Sequence, residues 1–289
     1  MGSSNLIDGR AIAETFKADT ARRIATLKAR GVQPGLVFVR VGEDPASVVY
    51  VGMKERDSQK LGIASKTHVL PEKTAEKELL ELITSLNGNS AVHGILVQAP
   101  LPAHIRSSMV FSAVSPAKDV DGFNPVNVGK LLLGDASGFA PCTPAGIQQL
   151  LIHSGVQTDG AEVVVLGRGD IVGKPMAAIL CQKAKHANAT VTICHSRTRE
   201  IAKHCRHADI LIAAIGVAEF VKADMIKPGA TVIDVGVNRV GERLVGDVDF
   251  ARVQPIAGKI TPNPGGVGPM TRAMLMSNTV RAAELLNPI

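Results

Sequence analysis

The chain has 289 residues and a formal net charge of +6, with 45% hydrophobic and 20% charged residues, a balance that suits two globular domains, each with its own core. No apolar run approaches the roughly 18 residues that cross a bilayer, so no membrane partner is expected. Aromatic residues make up 3%, with no Trp and one Tyr; the cationic excess therefore lacks the stacking surface of a single-strand nucleic-acid binder and points to a small anionic ligand.

Met1-Gly2-Ser3-Ser4-Asn5 has neither the basic nor the apolar segment of a secretion signal, and the expectation is a cytoplasmic protein. From Ile7 to Arg30, Ile12, Phe16, Ile24 and Leu27 fall near one helical face and Gly31 stops the run. Leu36 to Val41 reads as a strand. Asp44 then caps a helix over 45–61, with Pro45 in its first turn and Gly62 past its end. A strand at Lys66 to Leu70, an amphipathic helix around Glu76 to Leu86 and a strand at Gly94 to Gln98 continue the alternation that predicts a parallel sheet. Ser115 to Pro141 is rich in Pro, Gly and Asn, as a connection between domains would be.

A helix over Pro144 to Ser154 leads into a second alternating half, with strands at Val163 to Leu166, Thr190 to Cys194, Ile210 to Ala214 and Thr231 to Val235. Pro262 to Pro269 reads as an ordered, ligand-facing loop that is neither helix nor central strand, and Met270 to Leu286 as the closing helix. The four cysteines, Cys142, Cys181, Cys194 and Cys205, lack the paired spacing of a zinc site and suit buried thiols in a reducing compartment. His204-Cys205-Arg206-His207 has no second ligand pair to complete a tetrahedron, so no metal is expected.

The run Val163-Val164-Val165-Leu166 breaks into Gly167, Gly169 and Gly173, one residue longer than the usual dinucleotide fingerprint. Glycines there admit a pyrophosphate to the backbone, and the next helix turns its positive end toward that charge. A Walker loop is excluded, because Lys174 is followed by Pro175 where Ser or Thr would bind magnesium. The following strand ends in His195-Ser196-Arg197-Thr198 with no carboxylate for ribose hydroxyls. Ser196 and Arg197, with Arg168 as a second candidate, suit a 2′-phosphate and favour NADP over NAD.

In the first half, about 100° per residue places Ser47, Tyr50, Val51 and Lys54 on one helical face. A flat ring beside an amine can hold a planar ligand with a reacting atom near Lys54, although an ordinary half-exposed face has the same pattern. Val97-Gln98 ends a strand where ligands of α/β sheets gather, and Asp121 precedes Gly122 either as a ligand group or as a plain turn.

Taken together, Tyr50-Val51-Gly52-Met53-Lys54, Gly94 to Gln98, Lys118 to Asn124, Gly167 to Pro175, Ile233 to Asn238 and Pro264 to Thr271 resemble the bifunctional methylenetetrahydrofolate dehydrogenase/methenyltetrahydrofolate cyclohydrolase family over nearly the whole chain. The resemblance implies oxidation of 5,10-methylenetetrahydrofolate with NADP, hydrolysis of the methenyl product to 10-formyltetrahydrofolate for one-carbon metabolism, and a homodimer. It implies an α/β fold with an N-terminal αβα substrate domain, a C-terminal Rossmann-type doubly wound NADP domain and a cleft between them. The expected division is 1–122 and 123–289, with helix 270–286 able to pack back onto the first domain.

By the same resemblance Lys54 is the catalytic residue, Gln98 holds it, Tyr50 stacks on the folate and Asp121 binds the amino-pyrimidine edge of the pterin. Val51, Gly52, Met53, Val97, Ala99 and the loop Pro264, Gly265, Gly266, Val267 and Gly268 complete the substrate site. Gly167, Arg168, Gly169, Ser196, Arg197 and Ile233 form the cofactor site. Cyclohydrolysis needs a group that changes protonation state, and Lys54 is the candidate, either as a base or as a cation polarising water.

Two positions depart from the family pattern. Gly169 and Asp170 follow Arg168 where members commonly have Ser next, which removes a hydroxyl and adds a carboxylate near a polyanion unless Asp170 turns away to cap the helix. Ala99 stands where a larger apolar residue is usual and leaves more room near the pterin. A shikimate-dehydrogenase-like NADP oxidoreductase is the rival enzyme, and an NADP sensor or nucleic-acid binder the non-enzymatic one.

Overall fold

The computed structural model describes residues 5–288; the first four residues, read above for a secretion signal, and residue 289 lie outside the described residues. In chain order the helices are α1 (Gly9–Ala29), α2 (Pro45–Leu61), α3 (Glu76–Gly88), α4 (Ser107–Ala113), α5 (Pro125–Leu133), α6 (Cys142–His153), α7 (Gly173–Leu180), α8 (Ile201–His207), α9 (Phe250–Val253) and α10 (Val267–Leu286). The strands are β1 (Gly35–Val41), β2 (Ala64–Leu70), β3 (Gly94–Val97), β4 (Glu162–Leu166), β5 (Thr190–Cys194), β6 (Ile210–Ala213), β7 (Thr231–Asp234), β8 (Asn238–Val240), β9 (Arg243–Val245) and β10 (Lys259–Ile260).

Contacts divide the chain into two compact units, one of Thr15–Cys142 with Arg272–Ile289 and one of Met1–Glu14 with Thr143–Thr271. These limits differ from a division at 122/123, because α1 and α10 each begin in the second unit and end in the first. The segment 115–141 also lies wholly within the first unit.

The first unit is built on a parallel sheet of order β2-β1-β3. Strand β1 is buried along its whole length, as the unbroken run Leu36-Val37-Phe38-Val39 requires of a central parallel strand, whereas the edge strand β2 alternates in exposure. One face packs Leu36, Phe38 and Leu96 against Ile24 and Leu27 of α1, Val51 of α2, and Leu275, Met276 and Val280 of α10, so the C-terminal helix closes this core. The other face packs Val37, Val39 and Ile95 against Leu79, Ile83 and Val110.

Helix α2 has the predicted bounds. The Asp44 carboxylate accepts from the Ser47 N–H at 2.8 Å, Pro45 occupies the first turn, and Gly62 at φ 80° ends it. The same signals were present around α5 and read as a connection instead: Asn124 accepts from the Val126 N–H at 2.8 Å, Pro125 follows, and Gly134 at φ 73° terminates the helix. The loop predicted over Pro262 to Pro269 is shorter in fact, because α10 starts at Val267 and Pro269 falls in its first turn, where a missing N–H costs nothing.

The second unit carries a parallel sheet of order β10-β7-β6-β4-β5. Strand order reverses at β4, with β5 on one side and β6 on the other, the topology whose switch point takes ligands at the carboxyl ends of the strands. Val164, Leu211, Val232 and Ile260 lead one side of its core. β10 and the hairpin β8-β9 are too short to show a period of two in the sequence.

Phe38, fully buried on β1, meets the core shared with α10. Phe38→Ala is expected to cost about 3–5 kcal/mol of stability, read as a fall in urea midpoint; an unchanged midpoint would contradict this packing.

Candidate active site

In the first unit, α2 delivers Lys54 and the chain leaving β3 delivers Gln98. The Lys54 Nζ donates to Gln98 Oε1 at 3.0 Å. Gln98 is fixed in turn, its backbone N–H donating to the Val39 carbonyl at 2.8 Å and its Nε2 to the Ala99 carbonyl at 2.6 Å. Its amide oxygen is thereby turned toward the amine. One turn past Lys54, Asp57 accepts from Arg272 Nε at 2.6 Å and lies 3.7 Å from the Lys17 ammonium, so ion pairs to α10 and α1 lock the rotation of α2.

Tyr50 is 37% exposed, while Val51 is buried and anchors the helix. Gly52, Met53, Gln98 and Ala99 are half-buried; Val97 is buried within β3 and contributes position rather than surface.

Asp121 projects from a turn built by Asp119. The buried Asp119 carboxylate accepts from the N–H groups of Gly122, Phe123 and Asn124 at 3.1, 3.2 and 2.8 Å and from Asn127 Nδ2 at 2.9 Å. Gly122 has φ 79°, and a Cβ there would press on the backbone of Ala140 and Pro141. Asp121 and Gly122 thus do sit in a turn, but its side-chain hydrogen bonds are made by Asp119, two residues before the predicted pair. Desolvation raises the Asp121 pKa above the usual carboxylate range, opposed by the charge of Lys54 and by a hydrogen bond from the Cys142 thiol. Cys142 is buried, its Sγ lies 3.2 Å from the Val120 carbonyl, which competes with Asp121 for the single thiol proton, and desolvation with the nearby Asp121 charge pushes its pKa well up. Sequence reasoning passed over this thiol, since only the fold brings residue 142 beside residue 121.

In the second unit, the Gly167 N–H donates to the Cys194 carbonyl at 2.8 Å, which sets the ends of β4 and β5 side by side. Arg168 and Gly169 after β4, and Ser196 and Arg197 after β5, are all exposed there. A Cβ on Gly167 would run into the Ala214 carbonyl, one on Gly173 into the Gly167 carbonyl, and one on Gly169 would meet nothing. The first two glycines are demanded by close backbone packing, and the third faces open space. Asp170 does not cap α7, whose first residue is preceded by Val172; it pairs with Lys174 Nζ at 2.5 Å on the exposed surface.

Ile233 is fully buried in β7 and presents no side-chain surface. In the same unit Pro264 and Gly268 are exposed, Gly265 is half-buried at φ 117°, and Gly266 and Val267 are buried. Cys205 faces the core, and among the described residues no cluster of three or more His, Cys, Asp or Glu could hold a metal.

Asp234 and Asp247, both buried, were also missed. Desolvation pushes the Asp234 carboxyl up to about 7, hydrogen bonds from the Asp247 and Val248 N–H groups and from Asn263 oppose this, and the Asp247 charge adds to it.

The two units define a dinucleotide-dependent α/β enzyme with a separate amine-bearing substrate site. The catalytic domain of the tetrahydrofolate dehydrogenase/cyclohydrolase family matches residues 7–121 and its NAD(P)-binding domain matches residues 141–287. The chain belongs to this family. It is 56% identical to a bifunctional FolD protein of Syntrophus aciditrophicus over 97% of each chain. Among solved structures it is similar to the bifunctional FolD enzyme of Campylobacter jejuni, with TM-score 0.94 and 43% identity over 97% and 98% of the two chains. The Trypanosoma brucei enzyme, solved with NADP cofactor and inhibitor, gives TM-score 0.93 and 39% identity over 99% of each. A shikimate dehydrogenase of Thermus thermophilus, at TM-score 0.52 and 16% identity, shares the fold alone.

A carboxyl that ionises near pH 7 in the fold and near 4 when unfolded holds more protons folded, so its contribution to stability is lost as pH rises from about 4 to about 7. The urea midpoint of wild type relative to Asp234→Asn should therefore fall between pH 5 and pH 8. A difference independent of pH would contradict the assignment.

Proposed function

We propose that the protein oxidises 5,10-methylenetetrahydrofolate to the methenyl form with NADP and hydrolyses that product to 10-formyltetrahydrofolate. The observation that carries the reading is the Lys54–Gln98 hydrogen bond, with the Lys54 charge acting on Asp121. An amine, an amide and a carboxylate then face one ligand.

Asp121 accepts the amino-pyrimidine N–H groups of the pterin, a pairing in which a carboxylate takes two parallel hydrogen bonds. Tyr50 stacks on the folate, and the small Ala99 leaves room beside it. When water adds to the methenyl carbon, it must lose a proton before the ring nitrogen leaves, and Lys54 is the group placed to handle that proton or to polarise the water. Gln98 Oε1 fixes the direction of the amine throughout.

NADP, when bound, supplies the hydride acceptor for the oxidation. The residues fit it: the crowded glycines 167 and 173 keep side chains out of the turn, the open position 169 admits a ligand, and Arg168, Ser196 and Arg197 are exposed at adjoining strand ends. Lys174, paired with Asp170, offsets the carboxylate that the sequence adds near the polyanion. The same reading includes a cytoplasmic homodimer serving one-carbon metabolism, including purine and amino-acid biosynthesis, with no nucleic-acid or membrane partner. Among the described residues no helix is long and apolar enough to cross a membrane.

Lys54→Met should abolish hydrolysis of methenyltetrahydrofolate while leaving an intact fold by circular dichroism and unchanged NADP binding by isothermal titration calorimetry; retained hydrolysis rejects the role of Lys54. Steady-state oxidation should show a lower KM for NADP than for NAD, and a preference for NAD would reject the assignment of Arg197 to the 2′-phosphate.

A further inference from the structure

Asp247 has no accessible surface, and it binds several separate segments of the chain. One carboxylate oxygen accepts from the backbone N–H groups of Ile215 and Gly216 at 2.7 and 3.0 Å, and the other accepts from Asn238 Nδ2 at 2.9 Å. Its own N–H donates to Asp234 Oδ1 at 2.8 Å, and its carbonyl accepts from the Val221 N–H at 2.9 Å. Two glycines exist to make room, because a Cβ on Gly236 would run into the Asp247 carboxylate and one on Gly246 into that of Asp234.

The segment it pins is the one that leaves β6. The Ala214 N–H donates to the Leu166 carbonyl at 2.8 Å, and the Ala214 carbonyl lies where a side chain on Gly167 would have to be. Residues 214–216 therefore adjoin the glycine turn at the point where strand order reverses between β4 and β6, the place at which open parallel sheets bind dinucleotides. Gly216 is exposed at φ 67° on that edge, while the Ile215 and Gly216 amide protons point inward to Asp247. A carboxylate is required: the amide of Asn has one acceptor oxygen and would set an NH2 donor against existing donors on the other side.

We propose that Asp247 is a positioning residue for the cofactor, holding the Ile215–Gly216 backbone in the shape that forms one wall of the dinucleotide crevice. The proposal rests on the reading that this unit binds NADP. It does not act on the hydrolysis, which uses no cofactor.

The test compares wild type, Asp247→Asn and the milder Asn238→Ala, which removes one partner of the same carboxylate and serves if the first variant does not fold. NADP affinity is measured by isothermal titration calorimetry, oxidation by steady-state kinetics, and hydrolysis on methenyltetrahydrofolate without NADP. Asp247→Asn is expected to weaken NADP binding and raise its KM by about tenfold or more, the loss of one charge-assisted hydrogen bond, with a smaller shift in Asn238→Ala and hydrolysis within about twofold in both. Equal loss of hydrolysis and NADP binding would make Asp247 a general structural residue and overturn the proposal, as would unchanged NADP affinity in both variants. Wild-type protein that fails to bind NADP would instead sink the cofactor reading itself.

Discussion

The hydrogen bond from Lys54 to Gln98 is the constraint on which the substrate site depends. A lysine side chain has four rotatable bonds and would otherwise spend its freedom in solvent. Here its helix is clamped by Asp57 to Arg272 and Lys17, and its partner is clamped by Val39 and Ala99. Both ends of the bond are therefore determined by elements of one unit, and the amine is oriented before a ligand arrives.

The second unit meets a different physical demand. A polyanion must approach the backbone closely, so the requirement falls on what is missing from the chain rather than on what it carries. Gly167 and Gly173 are excluded from bearing side chains by their neighbours' carbonyls, and Gly236 and Gly246 by two buried carboxylates. The same unit tolerates Asp234 at a pKa near 7 because three hydrogen bonds partly repay its desolvation. Buried acidic groups of this kind cost stability, and here they order loops at the carboxyl edge of the sheet.

Much of this was legible in the chain because it is encoded locally. Asp44-Pro45 and Gly62 bracket α2, the apolar runs mark β1 and β4, and the Tyr50 to Lys54 spacing follows from helical periodicity. The missed helix α5 has equally local signals, but Asn, Pro and Gly are ambiguous between capping a helix and making a loop, and its exposed Leu132 and Leu133 blur the apolar stripe. Val267 to Pro269 were misjudged because proline is forbidden inside a helix yet welcome in its first turn. Cys142 and Asp247 carry no local signal at all. Their importance comes from partners far along the chain, such as Val120 for Cys142 and Ile215 for Asp247.

The account stands most directly on where a folate meets the first unit. A crystal structure with a non-reactive tetrahydrofolate analogue should place the pterin against Tyr50, its amino edge on the Asp121 carboxylate and its one-carbon end within hydrogen-bonding distance of Lys54 Nζ, with the Gln98 contact retained. An analogue bound elsewhere, or one that leaves Lys54 and Asp121 facing only solvent, would contradict it.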